Sequence, residues 1–163
     1  MPTRVLVVDD EPRVLASMAR CLKLEGFQVD SAASANGAIE LCQERSFDVV
    51  VLDFIMPGID GVELLARIRK IRPLVRAIVL SGQIDDSIAE KDIAKRLRDS
   101  VEADQFLNKP ISCATLVKTI NDVLTAEPSN DWKALAKKMV DGKGASIKHA
   151  KAAATELKKH RKK

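Results

Sequence analysis

"VLVVDDEP" (residues 5–12) commits four apolar, mostly β-branched residues in a row and then sets two carboxylates side by side at their end. A run that is apolar at every position fits a strand covered on both faces, whereas a half-exposed strand alternates. "DVVVL" (48–52) and "RAIVL" (76–80) share the pattern, and "FQVDS" (27–31) and "DQFLN" (104–108) are further strand candidates. Between these runs apolar residues recur at helical spacing, as in Val14, Met18, Leu22 and Leu24, or Val62, Leu65, Ile68 and Ile71. Five strand–helix alternations, closed by a last helix over about 112–126, predict an α/β fold with a five-stranded, doubly wound parallel sheet.

The chain has 163 residues, 46% of them hydrophobic, which suits one domain and an appendage. Its apolar runs fall far short of the roughly 20 residues that span a bilayer, and strand patterning begins directly after "MPTR". These features predict a cytoplasmic protein with no signal peptide and no membrane partner. Cys21, Cys42 and Cys113 are odd in number, far apart and set in apolar helical patterns. That usage predicts reduced thiols in packing roles, not a disulfide framework or a metal site.

Charge divides the chain in two. Residues 131–163 carry 11 Lys and Arg against 3 acids, a net +8, while the preceding 130 residues carry 16 basic and 20 acidic groups, a net −4. The expected organisation is a domain over 1–126, a linker over 127–131 around Pro128, and a basic helical tail over 132–163. In the tail Trp132, Leu135, Met139 and Val140 form one apolar stripe, "DGKG" interrupts it, and Ser146 opens a second helix with Ile147, Ala150, Ala154 and Leu157.

Doubly wound sheets bind ligands beyond the carboxyl ends of their strands, where strand order reverses. The residues at those ends are Asp9 and Asp10 after the first strand, Asp53 after the third, Ser81 after the fourth and Lys109 after the fifth. Each has an ordinary reading alone. Asp10 can cap the helix that starts near Pro12, Asp53 can begin the turn continued by "MPG", Ser81–Gly82 is common loop composition, and Lys109 can be solvated. Together, three converging carboxylates repel one another and require a cation or raised pKa values. An all-oxygen set with room for water selects Mg²⁺, and an ammonium and a hydroxyl beside it prepare the place for a phosphoryl group.

With "VLVVDDEP", "VVVLDFIMPGIDG", "IVLSG" and "FLNKP" falling in order, residues 4 to about 126 resemble the receiver domain of two-component response regulators, a CheY-like domain of flavodoxin-like fold. The resemblance implies that Asp53 accepts a phosphoryl group from the phosphohistidine of a sensor histidine kinase or phosphotransfer protein. It further implies Asp9, Asp10 and Asp53 as Mg²⁺ ligands together with the backbone carbonyl of Ile55. Lys109 stands as the phosphate-binding lysine, Ser81 as the switch hydroxyl in place of the more usual Thr, and Phe106 as the switch aromatic. The implied output is a two-state shift of the face built by the fourth helix, the fifth strand and the closing helix. One departure is the 28 positions from Ser81 to Lys109, a longer and more charged segment than the family suggests.

The leading expectation is therefore a response regulator that signals through a downstream protein partner, with a homodimer also open. The alternative is a DNA-binding transcriptional regulator whose effector is the +8 tail, since such a segment attracts phosphates nonspecifically. The tail has one aromatic residue and no helix-turn-helix, which favours the first reading. An enzyme of the haloacid-dehalogenase kind needs a second Asp two positions after the nucleophile, where this chain has Ile55. Not an enzyme, then, is the expectation, apart from slow loss of the chain's own acyl phosphate. His149 and His160 lie in the tail, remote in sequence from Asp53.

Overall fold

The computed structural model describes residues 1–82 and 103–126. The longer segment after Ser81, the linker and the basic tail, with Trp132, His149 and His160, lie outside the described residues.

Five strands form one parallel sheet: β1 (Arg4–Val8), β2 (Gln28–Ala32), β3 (Val49–Asp53), β6 (Arg76–Ser81) and β7 (Gln105–Asn108), in the order β2-β1-β3-β6-β7. The helices are α1 (Pro12–Leu24), α2 (Ala35–Glu44), α3 (Gly61–Ile71) and α4 (Cys113–Thr125). Each predicted strand is present, with second, third and fourth strands ending one residue later than expected, so that Asp53 and Ser81 are strand residues themselves. The cause is pairing: Asp53 still registers with Leu80, and Ser81 with Asn108.

The pleat explains why the central strands are apolar throughout. Val5, Val7, Val49, Val51, Ile78 and Leu80 point into a layer with Met18 and Leu22 of α1 and Leu116 and Ile120 of α4. Their neighbours Leu6, Val8, Val50, Leu52 and Val79 point the other way, against Ala38 of α2 and Leu64, Leu65 and Ile68 of α3.

Two short strands, β4 (Ile55–Met56) and β5 (Ile59–Asp60), form an antiparallel hairpin directly after Asp53. Pro57 and Gly58 make its turn, and Gly58 takes the positive φ of 83° that Gly tolerates at no steric cost. Asp60 then caps α3, its Oδ1 accepting from the Glu63 amide at 2.8 Å.

The far pole of the sheet has its own polar clamp. Asp104 accepts from Arg76 Nη1 at 2.7 Å, Arg69 Nη2 at 3.3 Å and the Ala77 amide at 2.8 Å. Arg76 Nη2 also donates to the carbonyl of Ala126 at 2.6 Å, fixing the end of α4.

The cysteine expectation is corrected in part. Cys21 and Cys113 form a disulfide, with Cα atoms 5.9 Å apart. The physical reason is that α1 and α4 pack side by side on one sheet face, which brings together residues 92 positions apart. Cys42 is a buried thiol, as expected of a packing residue, and burial pushes its pKa up to about 11 against the opposing charge of Arg72.

Candidate functional site

The strand order reverses between β1 and β3, and the carboxyl ends of these two strands carry Asp9, Asp10 and Asp53. One carboxylate oxygen from each of the three lies within 4.8 Å of the others. Asp9 is wholly buried, Asp53 is 6% exposed, and Asp10 is half-buried at the rim. The sequence predicted this convergence, and the reversal of strand order produces it.

Lys109 reaches the same place from the end of β7. Its Nζ donates to Asp9 Oδ2 at 2.7 Å and lies 3.3 Å from Asp53 Oδ2. Burial works against the Lys109 charge, but the hydrogen bond to Asp9 and the two carboxylate charges outweigh it, so its pKa stands above the ordinary lysine value. Asp53 stands above the ordinary carboxylate range, chiefly through burial. The Lys109 charge and a hydrogen bond from the Ile55 backbone oppose that rise, while the Asp9 charge adds to it.

Asp9 and Asp10 both converge on the site, as expected, and the ordinary reading of Asp10 as a helix cap is what fails. Glu11 is the N-cap of α1 and makes no side-chain cap, and the amide that begins the helix, Glu11 N, donates to Asp9 Oδ1 at 2.9 Å. The reading of Asp10 as the cap is therefore corrected: the more deeply set acid can fold back onto the amide two residues ahead, and Asp10 is left facing the site.

Ser81, at 8% exposure, ends β6 beside Asp53 in sheet order, but its hydroxyl donates to Gly82 O at 3.2 Å and Asn108 Oδ1 at 3.3 Å. Phe106 is 37% exposed on β7. Ile55 is 65% exposed on the hairpin at the mouth of the site, so its backbone, and not its side chain, faces Asp53.

Gly61 belongs to the site and was not singled out from the sequence. A Cβ there would stand 2.9 Å from Asp53 O and 3.0 Å from Phe54 Cα, and its amide donates to Phe54 O at 2.7 Å. A glycine as the first residue of a helix, where it is a poor former, was the available signal.

The donor set fits a hard divalent cation: three carboxylates, one of them without any solvent contact, and no His or Cys ligand beside them among the described residues. Asp9, Asp10 and Asp53 could together hold such a cation.

The response regulator receiver domain family matches residues 5–121. The transcriptional regulatory protein TcrA of Mycobacterium tuberculosis is 39% identical over 111 residues, which are 67% of this chain and 41% of TcrA. The transcriptional regulatory protein PrrA of Mycobacterium leprae is 36% identical over 145 residues, covering 85% of this chain and 59% of PrrA. The chain thus spans about half the length of these curated relatives. Among solved structures, a CheY-like receiver domain protein of Methanospirillum hungatei superposes with a TM-score of 0.65 at 25% identity, over 83% of this chain and 99% of the other. Chemotaxis protein CheY4 of Vibrio cholerae gives 0.64 at 27% identity, over 76% and 99%. No helix among the described residues is long and apolar enough to cross a membrane.

Proposed function

The chain belongs to the response regulator receiver family, and from that premise we propose that Asp53 is its phosphoacceptor, with Asp9 and Asp10 as Mg²⁺ ligands and Lys109 as the phosphate-binding cation. The single observation that carries this reading is the packing of Asp9, Asp10 and Asp53 within 4.8 Å around the Lys109 ammonium. Such an arrangement of like charges has little use unless a cation and a phosphoryl group complete it.

A carboxylate oxygen of Asp53 attacks the phosphorus of a kinase phosphohistidine; the P–N bond breaks, and its electron pair returns to the imidazole. Burial of Asp53 removes competing water from this oxygen, and Lys109 keeps the carboxylate ionised for attack. Lys109 then pairs with the new phosphoryl oxygens, and the Ser81 hydroxyl turns from Asn108 to donate to one of them. Asp9, Asp10 and Asp53, with the carbonyl of Ile55, would hold Mg²⁺, which would supply charge neutralisation for the transferring group. Withdrawal of Ser81 frees space for Phe106 to turn inward, which alters the β7–α4 face for a protein partner. The chain acts as an acceptor and not as a turnover enzyme, with slow hydrolysis of its own acyl phosphate. A sensor kinase or phosphotransfer protein in the cytoplasm is the donor.

A second reading is favoured by the relatives' own designation as transcriptional regulatory proteins and by the +8 charge of residues 131–163. In it the tail binds duplex DNA through phosphate contacts, with an affinity that falls steeply as salt rises. Duplex affinity that survives deletion of 131–163 overturns it.

The acceptor is tested by incubation with acetyl phosphate and Mg²⁺. One phosphoryl group per chain is expected on the wild type and none on Asp53→Ala; a labelled Asp53→Ala chain refutes the assignment.

A further inference from the structure

The Cys21–Cys113 disulfide lies outside the phosphoryl chemistry, yet it joins the helices that follow two of the site's residues. α1 begins three positions after Asp9, whose carboxylate holds the Glu11 amide, and α4 begins four positions after Lys109. Neither residue is wholly buried: Cys21 is half-buried on α1, packed at the edge of the core, and Cys113 is exposed as the first residue of α4.

Ile111, just before α4, packs against the core, but the side chains of the helix's own first turn do not. Ser112, Cys113, Ala114 and Thr115 are all exposed, and the first buried side chain of the helix is Leu116. Ser112 caps this turn from within, accepting from the Thr115 amide at 3.1 Å, so its cap adds no contact with the rest of the fold. The disulfide is the covalent attachment of that turn to α1. Cys113 also stands where free helix amides stabilise a thiolate, which makes it a ready leaving group in exchange.

We propose that Cys21 and Cys113 form a thiol–disulfide exchange site for small dithiols and disulfides, and that its state sets how firmly the first turn of α4, and with it Lys109, is held against α1. In the reducing direction one thiolate of a dithiol attacks Cys21 Sγ, and the protein S–S bond breaks with its electron pair on Cys113. The reagent's second thiolate then attacks the mixed disulfide, releasing Cys21 as the second thiolate. The two protons of the dithiol end on the two protein sulfurs, and the reagent leaves as a cyclic disulfide. Two thiols of the protein and one molecule of glutathione disulfide reverse the step, yielding two glutathione thiols.

The effect on Asp53 rests on the phosphoacceptor reading; the exchange site itself does not. The test takes the full chain, oxidised with glutathione disulfide or reduced with dithiothreitol, and reads three quantities: disulfide-linked peptides, amide exchange over 112–118, and the initial rate of Asp53 labelling by acetyl phosphate with Mg²⁺. A linked Cys21–Cys113 peptide is expected in the oxidised sample alone, and reduction should speed exchange of the first α4 turn about fivefold as its tether is lost. Labelling should slow about twofold as Lys109 loses its fixed position. Cys21→Ser and Cys113→Ser chains should show the reduced values in both buffers. The absence of a linked peptide after oxidation overturns the proposal, as does a linked peptide with exchange unchanged between the two states. Unchanged labelling alongside an exchange response overturns the coupling to Lys109. An exchange response with no labelling in either state supports the site and overturns the phosphoacceptor reading instead.

Discussion

Lys109 sits closer to the buried acid than to the proposed acceptor: its Nζ is 2.7 Å from Asp9 Oδ2 and 3.3 Å from Asp53 Oδ2. The ammonium is thus paired at shorter range with Asp9, which leaves its contact with Asp53 the one to exchange for a phosphoryl oxygen. Lys109→Ala removes the partner of a carboxylate without solvent contact, and breaking a buried pair costs about 3 kcal/mol. Urea unfolding in metal-free buffer should show that loss, and Asp53 labelling should fall about tenfold or more for want of a fixed cation.

Asp53 stands above the ordinary carboxylate range because of burial, so the folded state binds its proton more tightly than the unfolded chain does. Stability should then fall as pH rises from the unfolded aspartate value, about 4, through the folded one, and level off above it. Asp53→Asn has no charge to bury. In metal-free buffer it should be more stable than the wild type at pH 7, and the difference should vanish in acid below that window; equal stabilities at pH 7 would contradict this account.

Mg²⁺ should stabilise the folded chain by binding Asp9, Asp10 and Asp53. At ten times the dissociation constant the gain is about 1.4 kcal/mol, read as a rise in melting temperature. Asp10→Asn removes the rim ligand that makes no other described hydrogen bond, and should abolish most of the rise while leaving the metal-free melting temperature near the wild-type value.

Gly61→Ala places a methyl group 2.9 Å from the carbonyl of Asp53. The atoms it meets are backbone and cannot rotate away, so α3 or the end of β3 must shift, at about 2 kcal/mol. Chemical unfolding should register that cost, and labelling of Asp53 should slow as well, because the displaced residue is the proposed acceptor's own backbone.

Asp104→Asn tests the far pole. Arg76 and Arg69 are mostly buried around this carboxylate, and removing its charge should cost about 2 kcal/mol in thermal unfolding. Because the clamp stands at the opposite end of the sheet from Asp53, labelling by acetyl phosphate should be unchanged.

The sheet was legible because its central strands are apolar at every position, a pattern with one physical meaning. The site followed from topology: once strand order reverses between β1 and β3, their terminal acids must meet. What escaped reading depends on distances that sequence spacing does not encode. Cys21 and Cys113 pair because two helices settle into one groove register, although each cysteine looks like a packing residue locally. Gly61 is demanded by an approach of 2.9 Å between segments, and whether Asp9 or Asp10 accepts from the Glu11 amide turns on which carboxylate folds back. The hairpin of Ile55–Met56 with Ile59–Asp60 was read only as a turn, since two-residue strands leave no periodicity to detect.

Strand β6 has the Ser81 hydroxyl at one end and the Arg76 guanidinium, bonded to the carbonyl of Ala126, at the other. Six residues of extended backbone make a rod of roughly 17 Å, wedged between β3 and β7. That rod runs from the hydroxyl beside Asp53 to the guanidinium that holds the carbonyl of Ala126, the last of the described residues. One strand therefore belongs to both poles of the sheet, ending at one pole in the site's hydroxyl and at the other in the clamp of Arg76 with Asp104 and Ala126.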